Sequence, residues 1–202
     1  HLLVTNAGNN SIVQITPAGV VSTLTRSISS AVQTIKYDGQ GNLYVVSTDA
    51  TLNKLGPAGN LTTLASGIGG PTGLAVNSAG EAFVTTSANT IVKVSNGTKT
   101  TFANAASGLT TSYGATFDSA GTLYITEDQR NRISVVALSG QVSRFVESTV
   151  VAPRDLLTTA AGDTYVLNSK TIAKLNGDNP GEIVGSGLTS AISFTAAPGG
   201  GF

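Results

Sequence analysis

Short apolar and polar runs alternate along this chain, and the runs recur at a nearly fixed interval. GNLYVV from Gly41, GEAFVT from Gly80, GTLYIT from Gly121 and GDTYVL from Gly162 align on the aromatic markers Tyr44, Phe83, Tyr124 and Tyr165, spaced by 39, 41 and 41 residues. Val4 in HLLVTN stands 40 residues before Tyr44. Each unit follows one plan. An apolar stretch (TIKYD, GLAVN, ATFDS, DLLTT) leads through a polar turn ending in Gly to the marker strand. A third strand follows (SIVQI, TLNKL, TIVKV, RISVV, TIAKL), then a turn such as TPAG, GPAGN or SNGT, then a last strand (VVSTLT, LTTLA, KTTFA, QVSRFV, EIVGS). Short runs bounded by Gly, Asn and Pro turns, with no helical periodicity, predict four short strands per unit and an all-β chain.

A four-stranded unit of about forty residues cannot bury both of its faces alone, so such units stack around an axis. The expectation is a five-bladed β-propeller, with blades at 31–69, 70–110, 111–151 and 152–189 and a fifth assembled from 1–30 together with 190–202. SAISFTAAPGGGF would supply the inner strand of that fifth blade and HLLVTN the second, so that the termini pair and close the ring. Phe202 aligns with the same marker position as Val4, so a few residues compete for one place. That overlap raises a second route, in which the C-terminal strand clasps a neighbouring subunit and builds a head-to-tail polymer.

PTGLAVNSAGEAFVTTSANTIVKV (Pro71 to Val94) and, more distantly, GATFDSAGTLYITEDQRNRISVV resemble the repeat of NHL-type propellers, a resemblance that extends to the streptogramin-lyase and gluconolactonase-like propeller groups. It covers essentially the whole chain and implies the fold. Such repeats serve sensors, scaffolds, ligand binders and enzymes alike, so function has to be argued from a site. The chain departs from the usual repeat in lacking Trp and in carrying few acidic residues after the marker strand. The resemblance also implies what an enzyme of this kind would use: carboxylates, Asn or His converging on a divalent ion, or a His base. Here His1 is the single histidine.

Composition narrows the partners. The 202 residues carry 11 basic and 11 acidic side chains, a net charge of zero, which leaves no electrostatic footprint for nucleic acid. No apolar run reaches the length of a membrane helix, so no membrane insertion is expected. Cys is absent, which removes thiolate metal sites and thiol nucleophiles. Met is absent too, so residue 1 is expected to be either a processed end, for which removal of a secretory leader is one natural cause, or a boundary cut in a longer chain. With Ser and Thr abundant and charge scarce, the chain is expected to be extracellular.

Propellers bind ligands where inner strands converge on the axis. Eleven positions before each marker stand Gln33, Thr72, Tyr113 and Arg154, with Ser190 equivalent in the closing blade, and these five are expected to line one rim. Asp155 follows Arg154. A guanidinium beside a carboxylate and a Tyr hydroxyl suits a small polar or anionic ligand, or else forms an ion pair that closes the entrance. LYITEDQRNRISVV crowds Glu127, Asp128, Arg130 and Arg132 into six positions aligned with STDAT, TSANT and NSKT, and reads as a solvated hairpin turn. Asp38, Asp118 and Asp163 read as turn caps. NGDNPGE places Pro180 where a calcium loop needs a ligand. Asn9, Asn60 and Asn96 begin glycosylation triplets at about the number chance supplies. No catalytic constellation, metal or cofactor is expected. The predicted function is a non-catalytic binding or self-assembling structural module that meets a protein or glycan surface. The alternative is a hydrolase or lyase for a lactone-like or cyclic substrate, using Arg154, Asp155 and Tyr113.

Overall fold

The computed structural model describes residues 2–188 apart from 7, 8, 17, 26, 27, 39, 147–149, 160, 177 and 178. Strands form where the alternation places them. An N-terminal three-stranded sheet holds β1 (Leu2–Asn6), β2 (Ser11–Ile15) and β3 (Val21–Thr25). Four four-stranded antiparallel blades follow. Blade 1 contains β4 (Val32–Tyr37), β5 (Leu43–Ser47), β6 (Leu52–Leu55) and β7 (Leu61–Ala65). Blade 2 contains β8 (Pro71–Val76), β9 (Ala82–Thr86), β10 (Thr90–Ser95) and β11 (Thr98–Ala103). Blade 3 contains β12 (Ser112–Phe117), β13 (Leu123–Glu127), β14 (Arg132–Val136) and β15 (Val142–Val146). Blade 4 contains β16 (Asp155–Thr158), β17 (Thr164–Leu167), β18 (Thr171–Asn176) and β19 (Asn179–Ser186). Among the described residues the helical elements are two short 3-10 turns, and no helix is long and apolar enough to cross a membrane.

The architecture is an all-β propeller. It corrects the expected count: four complete blades are present among the described residues, not five. The sheet β1–β3 has a second, third and fourth strand, and 190–202, expected to complete it, lie outside the described residues, as does His1.

Burial shows how the sheets stack. Marker strands are buried on both faces because each is sandwiched between blades: all five residues of β5 and of β9 are buried. Tyr44, Leu52, Ile68, Leu74 and Val84 join blade 1 to blade 2. Phe83, Ile91, Leu109, Leu123 and Ile125 join blade 2 to blade 3, and Ile133, Val150, Leu156, Val166 and Leu175 join blade 3 to blade 4. Ile12, Ile28, Val32, Leu43 and Leu55 attach the N-terminal sheet to blade 1.

The inner strands β4, β8, β12 and β16 lie side by side in that order. Their close approach needs residues without side chains. A Cβ at Gly73 would overlap the Tyr113 carbonyl oxygen, and one at Gly114 would overlap the Asp155 backbone. Turns between first and second strands are capped as the sequence suggested at two places. Asp38 accepts from the Gln40 and Asn42 amides, and Asp118 from the Ala120 and Thr122 amides. Asn77 does the same in blade 2. Asp163 is different: it stands past the turn, at the position of Glu81, and pairs with Lys174 at 2.8 Å.

Candidate functional site

Inner strands begin at the end of the propeller that also carries the turns between second and third strands, because antiparallel neighbours reverse direction. Rim residues of one blade therefore meet the hairpin turn of the preceding one. Arg154, just before β16, lies over the Tyr113 ring at 5.2 Å from its centroid, and its Nη1 is 3.5 Å from Asp128 Oδ2 in the blade 3 turn. Asn131, in the left-handed conformation with φ 47°, ends that turn and accepts from the Ala152 amide at 2.8 Å. The result is a platform of Tyr113, Arg154 and Asp128, with the half-exposed Arg130 in the same hairpin turn as Asp128.

Asp155 does not act with its neighbour. Successive strand residues point to opposite faces, so Arg154 and Asp155 diverge. Asp155 is buried, accepts from the Leu156 amide at 2.8 Å, and meets Lys36 Nζ at 3.4 Å. Lys36 Nζ also donates to the Leu156 carbonyl at 3.3 Å. Lys36 is on β4 and Asp155 at the start of β16, the first and last of the four inner strands. One lysine side chain spans them, so the row curls around an axis. Sequence reasoning passed over Lys36, yet a signal exists: the equivalent residues are Ala75, Thr116 and Leu157.

The remaining rim positions separate. Thr72 is a fastener between blades, donating to the Ser112 carbonyl at 2.6 Å beside Thr85 Oγ1 at 3.1 Å. Gln33 is exposed, and Ser190 lies outside the described residues.

The charged hairpin also departs from expectation. Glu127 is fully buried, 0% exposed, and Arg132 Nε binds its Oε2, with Arg130 Nη1 at 4.0 Å from the same oxygen. The reason lies in the repeat. The residue three past each marker is Ser47, Thr86, Glu127 or Asn168, and all four are buried between blades. Thr86 is latched to Thr90 through their hydroxyls at 2.6 Å, and Asn168 Nδ2 donates to Thr171 Oγ1 at 3.2 Å. Blade 3 makes the same cross-strand latch from an ion pair, and among the described residues Glu127 Oε1 has no hydrogen-bond partner. Alignment with the hairpin turns of the other units suggested solvation, whereas the strand end to which Glu127 belongs is interior.

At the opposite end, a cleft of about 180 Å3 opens between blades 3 and 4, lined by Asp118, Tyr124, Phe145, Gly162, Asp163, Thr164 and Leu175. The Tyr124 and Phe145 rings meet edge to face at 4.9 Å. Burial, and secondarily the charge and hydrogen bond of Asp118, hold the Tyr124 hydroxyl above its ordinary pKa. Among the described residues no group of three or more His, Cys, Asp or Glu side chains is placed to hold a metal ion.

No family model matches the sequence, and no curated protein matches it. Solved structures match in shape. A chain of the nidogen/laminin complex superposes with a TM-score of 0.79 at 15% identity, over 96% of this chain and 81% of that one. The virginiamycin B lyase of Staphylococcus aureus gives 0.72 at 18% identity, over 96% and 69%. The gluconolactonase of Xanthomonas campestris gives 0.73 at 12% identity, over 96% and 74%. The fold they share is the β-propeller. At these identities the likeness concerns fold, and activity has to be argued from this chain's own side chains.

Proposed function

We propose that this chain is an extracellular binding propeller, working by contact and not by turnover, that docks a partner protein on the rim of Tyr113, Arg154, Asp128 and Arg130. The observation that carries this reading is the posture of Arg154. Its guanidinium is held by an aromatic face and a carboxylate while its side chain stays 36% exposed. Arg and Tyr that are already ordered lose little conformational entropy on association, which is why they dominate binding hot spots. Val151, 63% exposed beside this rim, adds apolar surface. The nidogen/laminin match, a propeller-like chain solved with a protein partner, supports the same reading.

The proposal extends to self-association, in which copies of the chain pair with one another into a polymer. Light scattering over a wide concentration range tests it, with single-chain mass at every concentration against it and mass growing with concentration for it. The function itself is tested by comparing the extracellular proteins retained by the wild type with those retained by Arg154→Ala and Tyr113→Ala. A partner retained by the wild type and lost from both variants, with unchanged thermal melting, is the expected result. Turnover of a lactone or cyclic ester that Arg154→Ala abolishes would overturn the reading in favour of a hydrolase or lyase.

A further inference from the structure

In three of the four complete blades the cross-strand partner of the marker aromatic is a lysine, and in blades 1 and 2 that lysine lies over the ring. Lys54 is the cross-strand partner of Tyr44 and lies 5.4 Å from its ring centroid. Lys93 partners Phe83 in the same way, at 5.5 Å, and is anchored by Glu81 at 2.7 Å. Lys174 partners Tyr165 and is anchored by Asp163. In blade 3 the cross-strand partner of Tyr124 is Val135, and the anchoring position of Glu81 and Asp163 is held by Thr122. Blade 3 therefore presents a marker aromatic without its lysine, and the cleft between blades 3 and 4 opens beside that ring.

The lining suits what the repeat leaves out. Tyr124 and Phe145 form an aromatic corner, Leu175 and the Thr164 side chain provide apolar contact, and Asp118 and Asp163 place two carboxylates at the rim. Lys174 neutralises one of the two, so the cleft keeps a net negative charge at Asp118. An ammonium over an aromatic face beside a carboxylate gains both cation–π and ionic attraction, and a four-carbon stem packs along the apolar wall.

We propose that this cleft binds a primary alkylammonium group, in the first instance the lysine side chain of a partner protein, which takes the place that Lys54 and Lys93 occupy in their own blades. The site is at the end of the propeller opposite the rim platform and does not depend on it.

The test is amide-resolved NMR titration of the whole chain with n-butylamine, with n-butanol as the uncharged control, and with a short peptide containing one lysine. Butylamine should give saturable shifts at Asp118, Tyr124, Phe145, Asp163 and Thr164, and butanol should not. Val135→Lys restores the repeat's own cation and should weaken butylamine binding about tenfold or more. Asp118→Asn should weaken it as well while leaving the turn intact, since Asn77 caps the matching turn in blade 2. Tighter binding of the peptide than of butylamine assigns the site to a protein lysine, and the reverse assigns it to a free amine. Equal shifts with butanol, no saturable shift at these residues, or butylamine binding unchanged in both folded variants would overturn the proposal.

Discussion

Removing Arg132 while leaving Glu127 in place isolates the cost of a charge buried between blades. Glu127 is 0% exposed, and among the described residues its second oxygen has no partner, so the carboxylate depends on the Arg132 guanidinium bound to Oε2. Arg130 reaches that oxygen at 4.0 Å but is 46% exposed, so it offers the weak compensation of a surface pair, about 0 to 1 kcal/mol. Deleting one member of a buried pair costs about 3–5 kcal/mol because the other is left uncompensated. For a chain of this length that lowers Tm by roughly 10 °C. Replacing both members reverses the sign of the argument. Glu127→Thr with Arg132→Thr recreates the Thr86–Thr90 latch, and exchanging a buried ion pair for a neutral one should leave stability within about 1 kcal/mol of wild type or raise it. Urea denaturation followed by far-ultraviolet circular dichroism measures Arg132→Leu and the double variant under the same conditions. A loss of less than about 1 kcal/mol in Arg132→Leu, or equal losses in the two variants, would refute the claim that the buried carboxylate is the source of the cost.

Two further predictions concern the inner strands and acid stability. Gly73→Ala should abolish folding or lower Tm sharply, because its Cβ overlaps backbone of blade 3, whereas Gly19→Ala, at φ 78° with open space around it, should cost about 1 kcal/mol; thermal melting of both checks the contrast. The Lys93 hydrogen bond, with Asn77 behind it, holds Glu81 below the ordinary carboxylate value of 4.5. A folded pKa below the unfolded one adds stability that is present above pH 4.5 and lost as pH falls through the folded value. Lys93→Met should flatten that acid-side decline, read from melting temperatures between pH 5 and about 3; an unchanged profile would exclude Lys93 as its cause.

The sequence alone determined the repeat, the strand positions and most of the turn caps. These rest on local physics: short apolar runs decide where strands form, and Gly, Asn and Asp at fixed offsets decide where the chain reverses. The marker residues Tyr44, Phe83, Tyr124 and Tyr165 all fall on second strands, and Asp38 and Asp118 cap as their spacing suggests. Asp163 departs from that reading because it stands past the turn, at the position of Glu81, where its carboxylate meets Lys174.

Tertiary structure alone decided which charges meet. Arg154 and Asp155 are neighbours in sequence, yet one turns to Asp128 and the other to Lys36, 119 residues away, since strand pleating parts neighbours and ring curvature unites distant strands. Glu127 reads as a turn residue by alignment and is interior because a strand end in a propeller lies between two blades. The cleft beside Tyr124 is invisible along the chain for the same reason: its walls come from Asp118 and Phe145 in one blade and Asp163 and Leu175 in the next, and only stacking brings them together. Period and turn chemistry are written residue by residue, whereas a site between blades is set by the packing of segments some forty residues apart.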